Sequence, residues 1–342
     1  MRVLVAPDCF TGTLTASQAA TAIAQGWLRA DPAGSADLAP MSDGGPGFVQ
    51  VLHRALGGTL VQSQVSGPLG DPVGAEVLIV DDGTAYIESA QACGLALVPA
   101  ADRRPLDAST AGVGDLLAVA RDHGAKRVVV GVGGTASTDG GRGCLERLGP
   151  TGWPAGIELL VATDVDSPLL GGSGAATAFG PQKGADRAQV AALEQRMTGW
   201  AAATGGAAEA AGSGAGGGLG YGLMLLGGRR VSGVETVLAA VRLAERAQEA
   251  DLLLTGEGAF DATSLKGKVP RGVAWVAQRA ARPCVVLAGR VMVGRREFAA
   301  AGIDAAYSVE EFAGSLDVAQ AAAAQQLADL AQRVARSWVP RH

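Results

Sequence analysis

Short apolar runs that end in turns rich in glycine and aspartate set the pattern of this chain. Arg2–Ala6 is a β-branched run that stops at Pro7-Asp8. Thr15-Ala-Ser-Gln18 then has the form of a capping box, and Ala19, Ile23 and Trp27 recur at helical spacing to about Ala30. The motif returns at once: Ala36–Pro40 is a weaker strand, Met41-Ser-Asp43-Gly-Gly45 a turn, and Pro46–Leu56 a helix with Phe48, Val51, Leu52 and Ala55 on one face. Between Gly58 and Ser89 the period changes to that of an antiparallel meander, with runs at Leu60–Val65, Ala75–Val80 and Thr84–Glu88. Glu88 closes an otherwise apolar strand, so it is expected to be buried and paired.

The remainder continues the strand–turn–helix pattern. Thr110–His123 reads as a helix. Arg127–Val132 is a strand running into the small-residue loop Gly133–Gly143, and Ile157–Ala162 is a strand ending in Thr163-Asp164-Val-Asp166. Asp186–Ala203, Gly233–Glu249 and Leu316–Trp338 read as helices; Leu252–Leu254, Cys284–Ala288 and Ala305–Ser308 read as strands. The low-complexity stretch Ala201–Gly220 has two readings. It is a flexible linker, or Gly216, Gly217 and Gly218 form a phosphate-facing start to the apolar helix at Tyr221–Leu226.

Composition narrows the class. At 342 residues, with 48% hydrophobic and 18% charged residues, the chain can bury a large core and suggests two domains. A net charge of −5 with scattered arginines gives no footprint for nucleic acid. No apolar stretch reaches the roughly 18–20 residues of a membrane helix, and the first apolar run is too short for a secretory leader. Four cysteines without CxxC spacing, and only three histidines, argue against zinc and for reduced thiols in the cytoplasm.

The candidate chemistry sits where the strands end. Asp8, Asp43, Asp139 and Asp164 each follow a strand in a glycine-rich or turn-forming segment, the position at which open α/β sheets bind ligands. In Asp251–Gly272 the strand runs into Gly256-Glu257-Gly258, then Asp261, Lys266 and Lys268, before a helix that can start at Pro270. The lysine usage is selective. Of 28 Lys and Arg only four are Lys, and three of these, Lys183, Lys266 and Lys268, lie beside glycines in turns. A compact ammonium kept for turns suits phosphate. Asp164 and Asp166 at i and i+2 can bind Mg²⁺ or form a hydrogen-bonded turn.

Taken together, six segments resemble the bacterial glycerate kinase family. They are Pro7–Leu14, Pro40–Gly47, Gly133–Gly143, Thr163–Leu169, Phe179–Ala185 and Thr255–Pro270, in the family's order and across nearly the whole chain. The resemblance implies a two-domain α/β fold. A Rossmann-like domain would be built from residues 1–58 and 235–342, with an inserted α/β domain at 59–234 and the active site in the cleft. It implies transfer of the γ-phosphoryl of ATP, with Mg²⁺, to a hydroxyl of a small hydroxy acid, D-glycerate at its 2-position, and it allows a homodimer. On that basis Asp139, Asp43 and Asp8 are candidate bases, and Lys268 a catalytic phosphate contact. Lys183, Lys266, Gly216–Gly218, Gly256 and Glu257 would contact ATP, and Asp261 and Asp164 the metal.

The chain also departs from the family's pattern. Thr11 stands where the family has Lys, Pro46 where it has Glu, Thr138 where it has Asn and Ala259 where it has Arg. The segment from Gly141 to Asp164 is shorter. Lost cations beside a retained Asp and Lys skeleton leave three readings: a glycerate kinase, a kinase of the same fold with a changed acceptor in a specialised pathway, and a non-catalytic binding relative.

Overall fold

In the computed structural model, which describes residues 1–149 and 152–339, near-continuous apolar runs become parallel strands covered on both faces. Ala305–Ser308, Cys284–Ala288, Leu252–Thr255, Arg2–Val5 and Ser35–Leu38 form one five-stranded sheet in that order, every pair parallel. Val3, Val5, Leu252, Leu254, Val285 and Leu287 face one core with Ile23, Trp27, Leu327, Leu330 and Val334 of two flanking helices. The intervening Leu4, Leu253 and Val286 point the other way and are equally inaccessible to solvent.

A second sheet runs Thr59–Ser66, Pro72–Ile79, Thr84–Glu88, Arg127–Gly131, Glu158–Ala162, Arg229–Val231. Its first two pairings are antiparallel, as the meander pattern predicts, and the rest are parallel. Val77, Ile87, Val128, Val130 and Val161 pack with Val113, Leu116, Leu117, Leu219 and Leu223.

The chain divides into two units, Met1–Ser42 with Val234–His342, and Asp43–Gly233. The sequence places the first change of unit near Gly58, later than this division. The helix Phe48–Leu56 explains the difference, because it belongs with the second sheet. Phe48 meets Tyr86 edge-on, ring centres 6.2 Å apart, and Glu88 accepts hydrogen bonds from Gly47 N (3.0 Å) and Val49 N (3.3 Å). Glu88 is buried as expected, yet its partner is a helix N-terminus rather than a cation.

Other expectations are corrected in detail. Ala201–Gly220 is no linker: it finishes the helix Arg187–Thr204 and begins Ala215–Leu225, with Ser213, Gly217 and Gly218 buried. Gly233–Glu249 is broken into Gly233–Ala240 and Leu243–Gln248 around Arg242, whose φ is +53°. Leu316–Trp338 is broken at Ala322. Thr15 forms the capping box with Gln18 that its sequence predicts.

The two long helices of the first unit touch backbone to backbone. A Cβ on Gly26 of Ala16–Ala30 would lie 1.9 Å from the Ala328 carbonyl oxygen of Ala323–Trp338. In an exposed helix, Gly→Ala stabilises by about 1 kcal/mol. Here Gly26→Ala is expected to cost about 1–3 kcal/mol through overpacking, read as a lowered urea midpoint. A raised midpoint would show that the helices can separate freely.

Candidate active site

The order of the five-stranded sheet reverses between Arg2–Val5 and Leu252–Thr255. From the first, the chain moves to Ser35–Leu38 on one side; from the second, it moves to Cys284–Ala288 on the other. Such a reversal opens a crevice beyond the carboxyl ends of the strands. Ala6 N donates to Leu254 O (2.7 Å) and Asp8 N to Gly256 O (2.8 Å), so the pairing continues past the strands into the loops. Thr255 Oγ1 donates to Ala6 O at 2.8 Å. Gly256 is required here, since a Cβ would fall 2.0 Å from Leu287 O. Asp8, Gly256 and Glu257 are thereby brought to one edge. Both carboxylates are nearly buried, at 8% and 6% exposure, and Asp8 Oδ1 accepts from Cys9 N at 2.7 Å.

The chain leaves this edge through Asp261. Its Oδ1 accepts from Thr263 N (2.7 Å), Thr263 Oγ1 (2.6 Å) and Ser264 N (3.3 Å). Burial opposes its ionisation, but these bonds and the Lys268 charge outweigh it and hold the carboxyl below its usual range. Lys268 is the N-cap of Val269–Arg279, with proline in the first helical turn. Lys266 is exposed and Lys268 half-buried, and neither forms an ion pair among the described residues. Two uncommitted ammonium groups ahead of an eleven-residue helix make an anion-binding segment.

In the second unit, three of the aspartates occupy loops at the carboxyl ends of its parallel strands. Gly44 O accepts from Gly133 N at 3.1 Å, and a Cβ on Gly44 would lie 2.7 Å from Ala162 O. The Asp43 turn is thus seated on two strand ends. Asp43 Oδ1 accepts from Gly45 N at 3.1 Å. Asp164 Oδ1 accepts from Ser232 Oγ at 2.5 Å, while Asp166 pairs with Arg230 at 2.7 Å.

Asp139 departs furthest from its expected role. It is buried, and its carboxylate accepts from Thr110 N (2.9 Å), Thr110 Oγ1 (2.8 Å), Gly143 N (3.1 Å) and Gly141 N (3.1 Å). Burial pushes its pKa up, and these bonds oppose the shift. Asp139 therefore ties its own loop to Thr110, the start of Ala111–Asp122, with three donors on one oxygen and one on the other. Thr110 was invisible to sequence reasoning because it lies 29 residues away from its partner.

Lys183 and the glycine run also turn inward. The Lys183 ammonium is buried, donating to Thr135 Oγ1 at 3.1 Å and to Ser137 O. Gly216, Gly217 and Gly218 all have positive φ, and a Cβ on Gly217 would lie 1.9 Å from Ser137 O. These glycines let two loops pack backbone to backbone, which gives them a packing role within the unit. Ser137 Oγ and Thr138 Oγ1 are buried beside them without a hydrogen-bond partner among the described residues.

Two measurements separate these roles. Asp139→Asn can keep its carbonyl oxygen toward Thr110 and Gly143 but then turns its amide N–H toward Gly141 N, and is expected to cost about 1–3 kcal/mol of stability; wild-type stability with abolished activity would instead make Asp139 the base. Burial lowers the Lys183 pKa to about 8 from 10.5. Between those values the unfolded chain binds the additional proton, so stability should rise with pH across about 8 to 10.5, by up to about 3 kcal/mol. The rise should be absent in Lys183→Met. An equal rise in both would place the ammonium in solvent.

Comparison with known proteins agrees with the order of these elements. A model of the glycerate kinase family matches residues 3–154 and 152–339. An uncharacterized protein of Mycobacterium bovis is 47% identical, over 98% of this chain and 91% of its own length. A glycerate kinase of Halalkalibacterium halodurans is 39% identical over 98% of both chains, and the glycerate 2-kinase of Escherichia coli 35% identical over 93% of both. Among solved structures, one designated provisionally as glycerate kinase 2 of Salmonella typhimurium LT2 matches with a TM-score of 0.76 at 33% identity, covering 99% of this chain and 98% of its own. With the whole chain matched in sequence and in fold, this protein belongs to the glycerate kinase family.

Proposed function

We propose that the chain is an ATP-dependent kinase that transfers the γ-phosphoryl group to the 2-hydroxyl of D-glycerate. One observation carries this reading. The strand-order reversal sets Asp8 against Gly256, and the segment leaving that edge brings two unpaired lysines to a helix N-terminus. Phosphoryl transfer asks a protein chiefly for positioning and charge neutralisation. Lys266, Lys268 and the first amides of Val269–Arg279 supply the positive charge for the phosphates. A carboxylate accepts the hydroxyl proton. Asp8 stands at the reversal edge, and Asp43 is the alternative, with one oxygen held by Gly45 N.

Magnesium enters as part of the MgATP substrate. Such an ion is held mostly by phosphates and waters, with one or two carboxylates. Asp261, ionised and in the same segment as Lys268, has the hard oxygen donor for this. When bound, the ion neutralises phosphate charge. The four cysteines are unpaired and no described helix is long and apolar enough to cross a membrane, which supports a cytoplasmic enzyme. Nothing in the reading requires a second copy of the chain.

ATP consumption with D-glycerate tests the reading directly, with the product identified by phosphorus NMR. Turnover of glycerate is expected. Removing one charge-assisted phosphate contact costs about 1.5–3 kcal/mol, so Lys268→Ala should raise the KM for ATP or lower kcat/KM by about tenfold or more. Turnover of other hydroxylated acceptors, with glycerate inert, would assign the same chemistry to a changed acceptor. ATP bound but never consumed would leave a binding protein.

A further inference from the structure

A cavity of about 210 Å³ opens in the first unit at the carboxyl edge of the five-stranded sheet. Three neighbouring strand ends reach it. Phe10 and Thr11 follow Arg2–Val5, Gly258 and Ala259 follow Leu252–Thr255, and Gly289 and Arg290 follow Cys284–Ala288. Leu316, Ala319, Gln320 and Leu327 of the last two helices also line it.

Two properties decide what this cavity takes. The wall is largely apolar, formed by Phe10, Ala259, Leu316, Ala319 and Leu327. Glycerate carries oxygen on every carbon and gains little from such a surface, whereas a purine ring needs apolar walls with a few polar contacts at its edge. The second property is Arg290. It is half-buried and makes no side-chain hydrogen bond or ion pair among the described residues. Its backbone is nevertheless fixed. Arg290 N donates to Gly258 O and Gly289 N to Glu257 O, both at 3.0 Å, and Arg290 pairs with Ala259 in a two-stranded parallel ribbon. A Cβ on Gly289 would fall 2.3 Å from Gly258 O, so the two segments are held as close as backbones allow. A guanidinium without a partner on a fixed backbone has its five donors available to a ligand.

Size and continuity complete the argument. Sites that enclose a whole drug-sized ligand measure about 300–1,000 Å³, so 210 Å³ suits one ring system with the rest of the molecule outside. The cavity lining at Gly258 and Ala259 continues along the chain to Asp261, Lys266 and Lys268, the segment to which the phosphates are assigned above. We propose that this cavity seats the adenine ring of the phosphoryl donor, with Arg290 as its polar contact. The assignment rests on the kinase reading for the identity of the ligand.

Arg290→Ala and Ala323→Phe test it, the second filling the cavity from a half-buried helix position. ATP affinity is measured by displacement of a fluorescent trinitrophenyl-ATP in the presence of Mg²⁺ and without acceptor; KM values for ATP and D-glycerate follow, and turnover with ATP is compared with CTP. Each variant is expected to weaken ATP by about tenfold or more, to reduce the preference for ATP over CTP, and to leave the glycerate KM within about twofold. Unchanged ATP affinity in a folded Arg290→Ala protein would overturn the assignment, as would a raised glycerate KM with ATP unaffected, which gives the cavity to the acceptor. The binding measurement decides the question even in a chain that turns over no glycerate. Failure of the kinase reading and failure of the cavity assignment are therefore distinguishable. Circular dichroism establishes folding, and Arg290→Ala, which removes no packed core group, carries the test if Ala323→Phe does not fold.

Discussion

The parallel pairing of Arg2–Val5 with Leu252–Thr255 is the interaction on which the first unit depends. It joins segments about 250 residues apart, with Val3 opposite Leu252 and Thr255 Oγ1 bonded to Ala6 O across a separation of 249. Without it the five-stranded sheet has no centre, and the reversal of strand order does not exist. The energetic support is the apolar alternation itself: residues facing either way from these strands are excluded from water, each side chain contributing about 1.5–3 kcal/mol on burial. Loop closure over such a separation is costly but grows only slowly with length, so a chain can afford to set the second unit between the two strands. The chemistry then follows from geometry, because the loops that leave paired strand ends must lie side by side.

The second unit places its buried polar groups differently. Glu88 holds the start of Phe48–Leu56, Asp139 holds Thr110 and its own loop, and Lys183 holds Thr135 and Ser137. Each takes a full charge or a strong dipole out of water, which is tolerable only where hydrogen bonds replace the lost hydration. The glycines at 216–218 serve the same end by removing side chains where two backbones meet. Within their unit these residues hold loops and a helix start together.

Much of the fold was legible in the sequence. Apolar runs of strand length ending in Gly and Asp gave the parallel strands, the change to period two gave the meander, and Thr15 with Gln18 gave a helix start. What could not be read was the direction of each carboxylate. Asp8, Asp43 and Asp139 sit in like surroundings along the chain, each after a strand and near glycine. Only the folded structure separates Asp139, buried and bonded by four donors of its own unit, from Asp8, placed at the strand-order reversal. Arg290 was missed for a related reason. It is one arginine among many, and its meaning comes from a two-residue ribbon with Ala259, too short for any periodicity to reveal. The helix breaks at Arg242 and Ala322 were hidden by alanine-rich sequence with continuous helical propensity.

The central claim is that the donor's phosphates bind at the reversal edge of the five-stranded sheet. A crystal structure with a non-hydrolysable ATP analogue, Mg²⁺ and D-glycerate tests this most directly. The account predicts the terminal phosphate within hydrogen-bond reach of Lys268 Nζ and the amides that open Val269–Arg279. Phosphates resting on Gly216–Gly218 and Lys183, with Lys268 unengaged, would contradict it.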